Sequence, residues 1–208
     1  MNTPLVPQSV LEHFGIAVAA ITGVLAARGK RIDLFGVLVL ALVTAYGGGT
    51  VRDLLMGDLP PVWLRSSAYL LNATLTALVT FFVVRLRSLP ERVLLIADAF
   101  ALALFTMIGV RKGITLDFTP SVAILLGIIT GVAGGILRDV LLGEVPLVFR
   151  REINLYATAA LGGAALYVGL DAAGTAEAIA TTAGVILTLT LRLAGIRWKI
   201  GLPLLEAR

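Results

Sequence analysis

Seven apolar runs, at residues 10–27, 34–55, 68–84, 93–110, 122–142, 155–170 and 176–191, alternate with short polar segments. Each run comes near the roughly 20 residues that a helix needs to cross the hydrocarbon core of a bilayer. No polar segment is long enough to fold alone. The pattern therefore predicts an all-α integral membrane protein with seven spanning helices in a single transmembrane domain, 1–208. Ionisable residues are rare inside the runs, so the few that occur stand out: Glu12, Arg52, Asp53, Asp98, Arg138 and Asp139.

These interruptions come in pairs. Tyr46-Gly47-Gly48-Gly49-Thr50-Val51-Arg52-Asp53 leads on to Gly57-Asp58-Leu-Pro60, and 86 positions later Val132-Ala-Gly134-Gly135-Ile-Leu-Arg138-Asp139 leads on to Gly143-Glu144-Val-Pro146. The same displacement pairs Glu12 with Asp98, Gly23 with Gly109, Val24 with Val110, Thr44 with Thr130 and Ala73 with Ala159. Helices one to three, about 10–85, are thus read as duplicated in helices four to six, about 92–171, with helix seven, about 176–194, outside the repeat. Three spans per unit is an odd number, so the second unit enters the membrane from the opposite side. An inverted repeat of this kind places its working site near the midplane, where the halves meet.

Adjacent glycines weaken a helix. They predict that helices two and five are broken or sharply bent at Gly47, Gly48 and Gly49, followed by Thr50, and at Gly134 and Gly135, with carbonyls turned toward a lumen. Close packing between helices is the competing reading of the same glycines. An ionised side chain in hydrocarbon is costly unless it faces protein or a water-filled cavity, so Arg52, Asp53, Arg138 and Asp139 suggest a path. Snorkelling of the two arginines to the interfaces is the alternative. Neighbouring helical residues point about 100° apart, so Asp53 need not neutralise Arg52. Glu12 and Asp98 share a matching position, hence a shared role, either as path-lining carboxylates or as protonated acids bonded within the bundle. His13 has no counterpart at Ala99 and reads as an interfacial residue, as do Trp63 and Phe149 after the two prolines.

Composition bears out the choice of solvent: 58% of the residues are hydrophobic and 14% charged, with a mean hydropathy of +0.97, more apolar surface than one water-soluble core hides. The net charge of +4 does not indicate nucleic acid, because the basic residues flank apolar runs as membrane anchors do. Counted on alternate sides of the predicted spans, twelve basic residues (Arg28, Lys30, Arg31, Arg85, Arg87, Arg92, Arg150, Arg151, Arg192, Arg197, Lys199, Arg208) face three (Arg65, Arg111, Lys112). The richer side is predicted cytoplasmic, which puts the amino terminus outside and the carboxyl terminus inside. The first run lacks a basic start and is long enough to span, so it reads as a helix and not as a cleaved signal. Without cysteine there is no disulfide or thiolate metal site. One histidine, with no His-Glu-x-x-His and no multi-aspartate box, predicts no enzyme, no metal and no cofactor. Two arginines against four carboxyls predict a path that favours cations, with weak discrimination among them because no filter of stacked carbonyl rings is present.

The three-plus-three-plus-one layout, with Gly47-Gly-Gly-Thr-x-Arg52-Asp53-x-x-x-Gly57 and Gly134-Gly-x-x-Arg138-Asp139-Val-Leu-x-Gly143-Glu144-x-Pro146-Leu-Val, resembles the prokaryotic branch of the trimeric intracellular cation (TRIC) channels. The resemblance runs from Glu12 into helix seven. It implies a homotrimer in a prokaryotic cell membrane, with one pore per subunit lined by helices one, two, four and five. The pore passes monovalent cations, chiefly potassium, and membrane lipid is the other partner. The Lys-Glu-Val motif through which animal members bind phosphoinositide is absent, so lipid regulation does not carry over. Some bacterial relatives are assigned to glycine uptake, which makes a transporter of glycine-like zwitterions the alternative.

Overall fold

The computed structural model describes residues 8–87, 89–90, 92–150 and 155–198. The basic residues Arg151, Lys199 and Arg208, counted above for orientation, lie outside the described residues. Among the described residues, seven α-helices appear where the apolar runs predict them: α1 Gln8–Ala26, α2 Leu34–Met56, α3 Ser67–Leu86, α4 Arg92–Thr115, α5 Pro120–Leu141, α6 Tyr156–Ala172 and α7 Glu177–Trp198. Six of them are long and apolar enough to cross a membrane, and α6, with 17 residues, is the one that is not. The ends follow from local chemistry. Asp33 caps α2 by accepting from the Gly36 amide at 2.8 Å, and Pro120 opens α5 at a position where no amide hydrogen is needed. Gly57 closes α2 in the left-handed region at φ 70°, and Gly143 follows α5 at φ 67°.

The helices α2 and α5 pack on each other. Around them, α1 packs on α2, α3 and α4, while α4 also packs on α5, α6 and α7. α7 lies on α4 and α6, where Arg111 of α4 pairs with Glu177 at its start. α3 is the outermost span and exposes Leu70, Leu71, Leu75, Val79 and Phe82, a face suited to lipid or to another subunit.

Neither α2 nor α5 is broken at its glycines, which corrects the reading made from the sequence: both remain α-helical through Gly47–Gly49 and Gly134–Gly135. The glycines serve close approach instead. A Cβ on Gly48 would run into the carbonyl oxygen of Thr130, and a Cβ on Gly134 into that of Thr44. The 86-residue displacement carries one contact onto the other, Gly48 onto Gly134 and Thr44 onto Thr130, so each helix meets the other through the same surface. A second matched pair lies further out, where a Cβ on Gly23 would come within 2.6 Å of the Ala41 Cα and one on Gly109 within 2.8 Å of the Gly127 Cα. Bringing two backbones into contact offsets the propensity cost of glycine, about 1 kcal/mol per residue.

Candidate functional site

At the end of α2, Arg52 and Asp53 are both buried. Arg52 Nε donates to Asp53 Oδ1 at 2.8 Å, Lys112 Nζ of α4 donates to the same oxygen at 2.6 Å, and the Val62 amide donates to Asp53 Oδ2 at 3.1 Å. Lys112 also lies 2.5 Å from Asp58 Oδ2, and Arg65 pairs with Asp58 from the other side. Asp58 follows the helix, beyond the span, and the ammonium of Lys112 and guanidinium of Arg65 hold its carboxyl down at about 2. In return Asp58 raises the Arg65 guanidinium above its ordinary value.

The end of α5 repeats this construction. Arg138 Nε donates to Asp139 Oδ1 at 2.7 Å, and the Leu147 amide donates to Asp139 Oδ2 at 2.7 Å. Glu144 takes the place of Asp58: Arg150 donates to it at 2.6 Å, Lys30 pairs with it from the first half, and the two cations hold its carboxyl below the usual range. The motif is therefore a turn built the same way in both halves. Its aspartate accepts from the neighbouring guanidinium and from an amide of the following 3-10 turn (Val62–Leu64 or Leu147–Phe149), and its final acid is clamped by a lysine from the opposite half. Asp53 and Asp139 do engage their own arginines, because a guanidinium bent back along the helix end reaches the adjacent carboxyl.

The two helix carboxyls differ in their partners. Glu12 Oε2 accepts from the Tyr69 hydroxyl at 2.6 Å. Tyr46 donates to the Tyr69 carbonyl at 2.7 Å and stacks on Trp63 at 4.9 Å, and Trp63 donates to Thr50 Oγ1 at 3.0 Å. Asp98 instead faces Arg138 at 3.2 Å and Arg192 at 3.9 Å, and the Arg192 guanidinium lies 4.3 Å above the Tyr156 ring. Arg192, counted from the sequence as a cytoplasmic flank, is fully buried. Trp63, read as an interface marker, is a packing partner of Tyr46, whereas Phe149 is exposed.

Two cavities run along the helix crossing. One of about 10 Å³, room for about one water, is bordered by Gly48, Gly49, Gly134, Gly135 and Asp98. The other, about 30 Å³, is bordered by Glu12, Tyr46, Gly49, Arg52, Asp53 and Trp63. They share Ala45, Gly49 and Phe105, so they are neighbours. Gly47 is turned to Leu137, Thr50 is bonded to Trp63, and Arg138 and Asp139 border neither cavity. Sequence reasoning missed Lys112 and Arg192, which sit at the ends of apolar runs and look like flanks. It also missed Tyr69 and Tyr156, although an aromatic at the start of helix three and again at the start of helix six was a visible signal.

Two three-helix halves with the same motif, joined through a glycine crossing and carrying buried charges, define a polytopic helical membrane protein with a polar interior. A family profile described as "Glycine transporter" matches residues 9–85 and 95–172. The UPF0126 inner membrane protein YadS of Escherichia coli is 44% identical over 93% of this chain and 93% of its own. The TRIC trimeric intracellular cation channel orthologue from Rhodobacter sphaeroides is 40% identical, with a TM-score of 0.88 over 93% of this chain and 98% of that one. A prokaryotic TRIC channel solved in 0.5 M KCl is 30% identical, with a TM-score of 0.85 over 94% and 98%. The chain belongs to this family, that of the bacterial TRIC channels and UPF0126 membrane proteins.

Proposed function

We propose that the protein is a monovalent cation channel, permeable to potassium, with one pore per subunit of a homotrimer, in a prokaryotic cell membrane with its amino terminus outside. The path follows the two cavities between α1, α2, α4 and α5, and the two halves that enclose it are inverted repeats within one transmembrane domain. The observation that carries this reading is the charge along the cavities. Beyond the two arginines and four carboxyls named from the sequence, Lys112 pairs with Asp53 and Asp58, and Arg192 lies 3.9 Å from Asp98. The groups that border the cavities are Glu12, Asp53 and Asp98 against Arg52 alone. A cation in the path therefore meets an excess of negative charge, and Arg138, Lys112 and Arg192 act from behind it.

In this reading, cavities this narrow belong to a closed form. Opening requires α2 and α5 to separate at the glycine contact or Arg52 to swing from Asp53. A charge that crosses the whole membrane field exchanges about 2.3 kcal/mol per 100 mV, so movement of Arg52 makes opening voltage-dependent. The likeness to the TRIC cation channel orthologue of Rhodobacter sphaeroides and to the prokaryotic TRIC channel solved in KCl supports this reading. The family profile's description supports a second one, uptake of a glycine-like zwitterion. Purified protein, expected to weigh as three chains in detergent, should give discrete current steps in planar bilayers. Saturable glycine uptake without steps would establish the transporter instead.

A further inference from the structure

The wall between the two cavities is made by the residues that border both: Ala45, Gly49 and Phe105. Ala45 brings one methyl group and Gly49 no side chain, so most of that wall is the Phe105 ring. Phe105 is buried and packs with Ile16, Ala45 and Ile108 in the larger apolar cluster. Its outer ring atoms, Cζ, Cε1 and Cε2, lie at 3.5, 3.6 and 3.7 Å from where a Cβ on Gly15 would stand. The ring edge therefore rests on α1 at a residue with no side chain. Along α4 the ring sits between charges, with Asp98 seven residues before it and Lys112 seven after. Seven residues are close to two turns, so the three side chains share one face of α4 at steps of about 10 Å. Asp98 borders the first cavity, and Lys112 is bonded to Asp53, which borders the second. That face of α4 reads carboxylate, phenyl, ammonium, and its apolar member stands where the cavities meet.

We infer that Phe105 is an apolar gate: its ring keeps water, and with it cations, from passing between the two cavities, and ion flow requires the ring to leave the wall. The inference rests on the channel reading above. A cation beside Asp98 or beside Glu12 and Asp53 has a carboxylate to replace part of its water shell, whereas at the ring it has none. Apolar constrictions of this kind close a pore by dewetting, because an ion without water or a polar partner is costly to hold in apolar surroundings. The gate is distinct from the glycine crossing. Phe105 belongs to α4, so separation of α2 and α5 at Gly48 and Gly134 widens the crossing and still leaves the ring between the cavities. Size and polarity act differently in such a gate. A smaller apolar side chain shortens the constriction and keeps it dry, while a polar one of similar length wets it.

The test is single-channel recording in planar bilayers, with open probability measured in symmetric KCl and the reversal potential under a KCl gradient. Phe105→Gln is expected to raise open probability at least about ten-fold, the low end of what hydrating an apolar surface the size of a phenylalanine side chain is worth. Phe105→Leu should raise it less. The reversal potential should stay that of the unsubstituted protein in both, because Glu12, Asp53 and Asp98 keep their places. An open probability unchanged by Phe105→Gln, with current steps intact, overturns the inference and leaves the channel reading standing. So does an equal rise with leucine, which would make the ring a plug by volume alone, and so does a rise with a collapsed reversal potential, the leak of a loosened bundle. Gly15→Ala fits the closed packing, since its Cβ would meet the ring at ordinary contact distance. By holding the ring in place it should lower open probability, and a rise or no change overturns the inference even where the glutamine variant does not fold. Absence of current steps in the unsubstituted protein overturns both readings.

Discussion

Asp53 and Asp139 each gather an arginine, a backbone amide and, for Asp53, a lysine from another helix, and that density of partners explains how ionised residues persist inside apolar runs. Breaking such a buried pair strands a charge at a cost of about 3–5 kcal/mol, so these residues hold the fold. Beyond the span, the clamp on Asp58 has a clear pH signature. Its folded-state carboxyl is depressed to about 2, so its contribution to stability is fully present above about pH 4 and is lost as the pH falls through 2. The gap in melting temperature between the protein and its Asp58→Asn variant should therefore hold constant from pH 7 to about 4 and narrow below that. A gap already closed at pH 5 would show that Lys112 and Arg65 do not hold the carboxyl. Glu12, Arg52, Asp98 and Arg138 were legible in the sequence because lipid makes every ionisable residue conspicuous. Their partners were not, because Lys112 and Arg192 stand at the ends of apolar runs, where burial and exposure leave the same trace.

For the helices, the seven apolar runs locate the elements and the 86-residue displacement pairs them. What the pattern does not resolve is how a glycine is used. A missing Cβ permits a bend or a close approach equally, and the choice depends on which surface arrives opposite, a long-range fact. At Gly48 and Gly134 the opposite surface is a carbonyl oxygen of the partner helix, so approach wins. Gly48→Val or Gly134→Val should thus force α2 and α5 apart, costing about 1–3 kcal/mol as overpacking does. The same change at Gly49, whose Cβ would meet only the Arg52 Nη2 at 3.7 Å, should cost less. Thermal unfolding in detergent ranks the three, and an equal loss at all of them would contradict the assigned crossing.

At the scale of the whole molecule, the lysine of each half that clamps the other half's motif, Lys30 to Glu144 and Lys112 to Asp58, ties the two units together. Orientation rests on the distribution of basic flanks, now with Arg192 removed from the count because it is buried in α7. The chain has no cysteine, so single cysteines report side directly. Cysteines at Lys30 and Arg87 should be protected from an impermeant thiol reagent in intact cells, and one at Gly174 labelled; the reverse pattern overturns the orientation. The central claim is that Glu12, Asp53 and Asp98 give the path its preference for cations. It is tested most directly by the reversal potential under a tenfold KCl gradient, which approaches about 59 mV in magnitude for a purely cation-selective path. The unsubstituted protein should lie well toward that limit, with the sign of cation flow, and the combined Glu12→Gln, Asp98→Asn variant should move toward zero. An unchanged reversal potential in the variant would contradict the account.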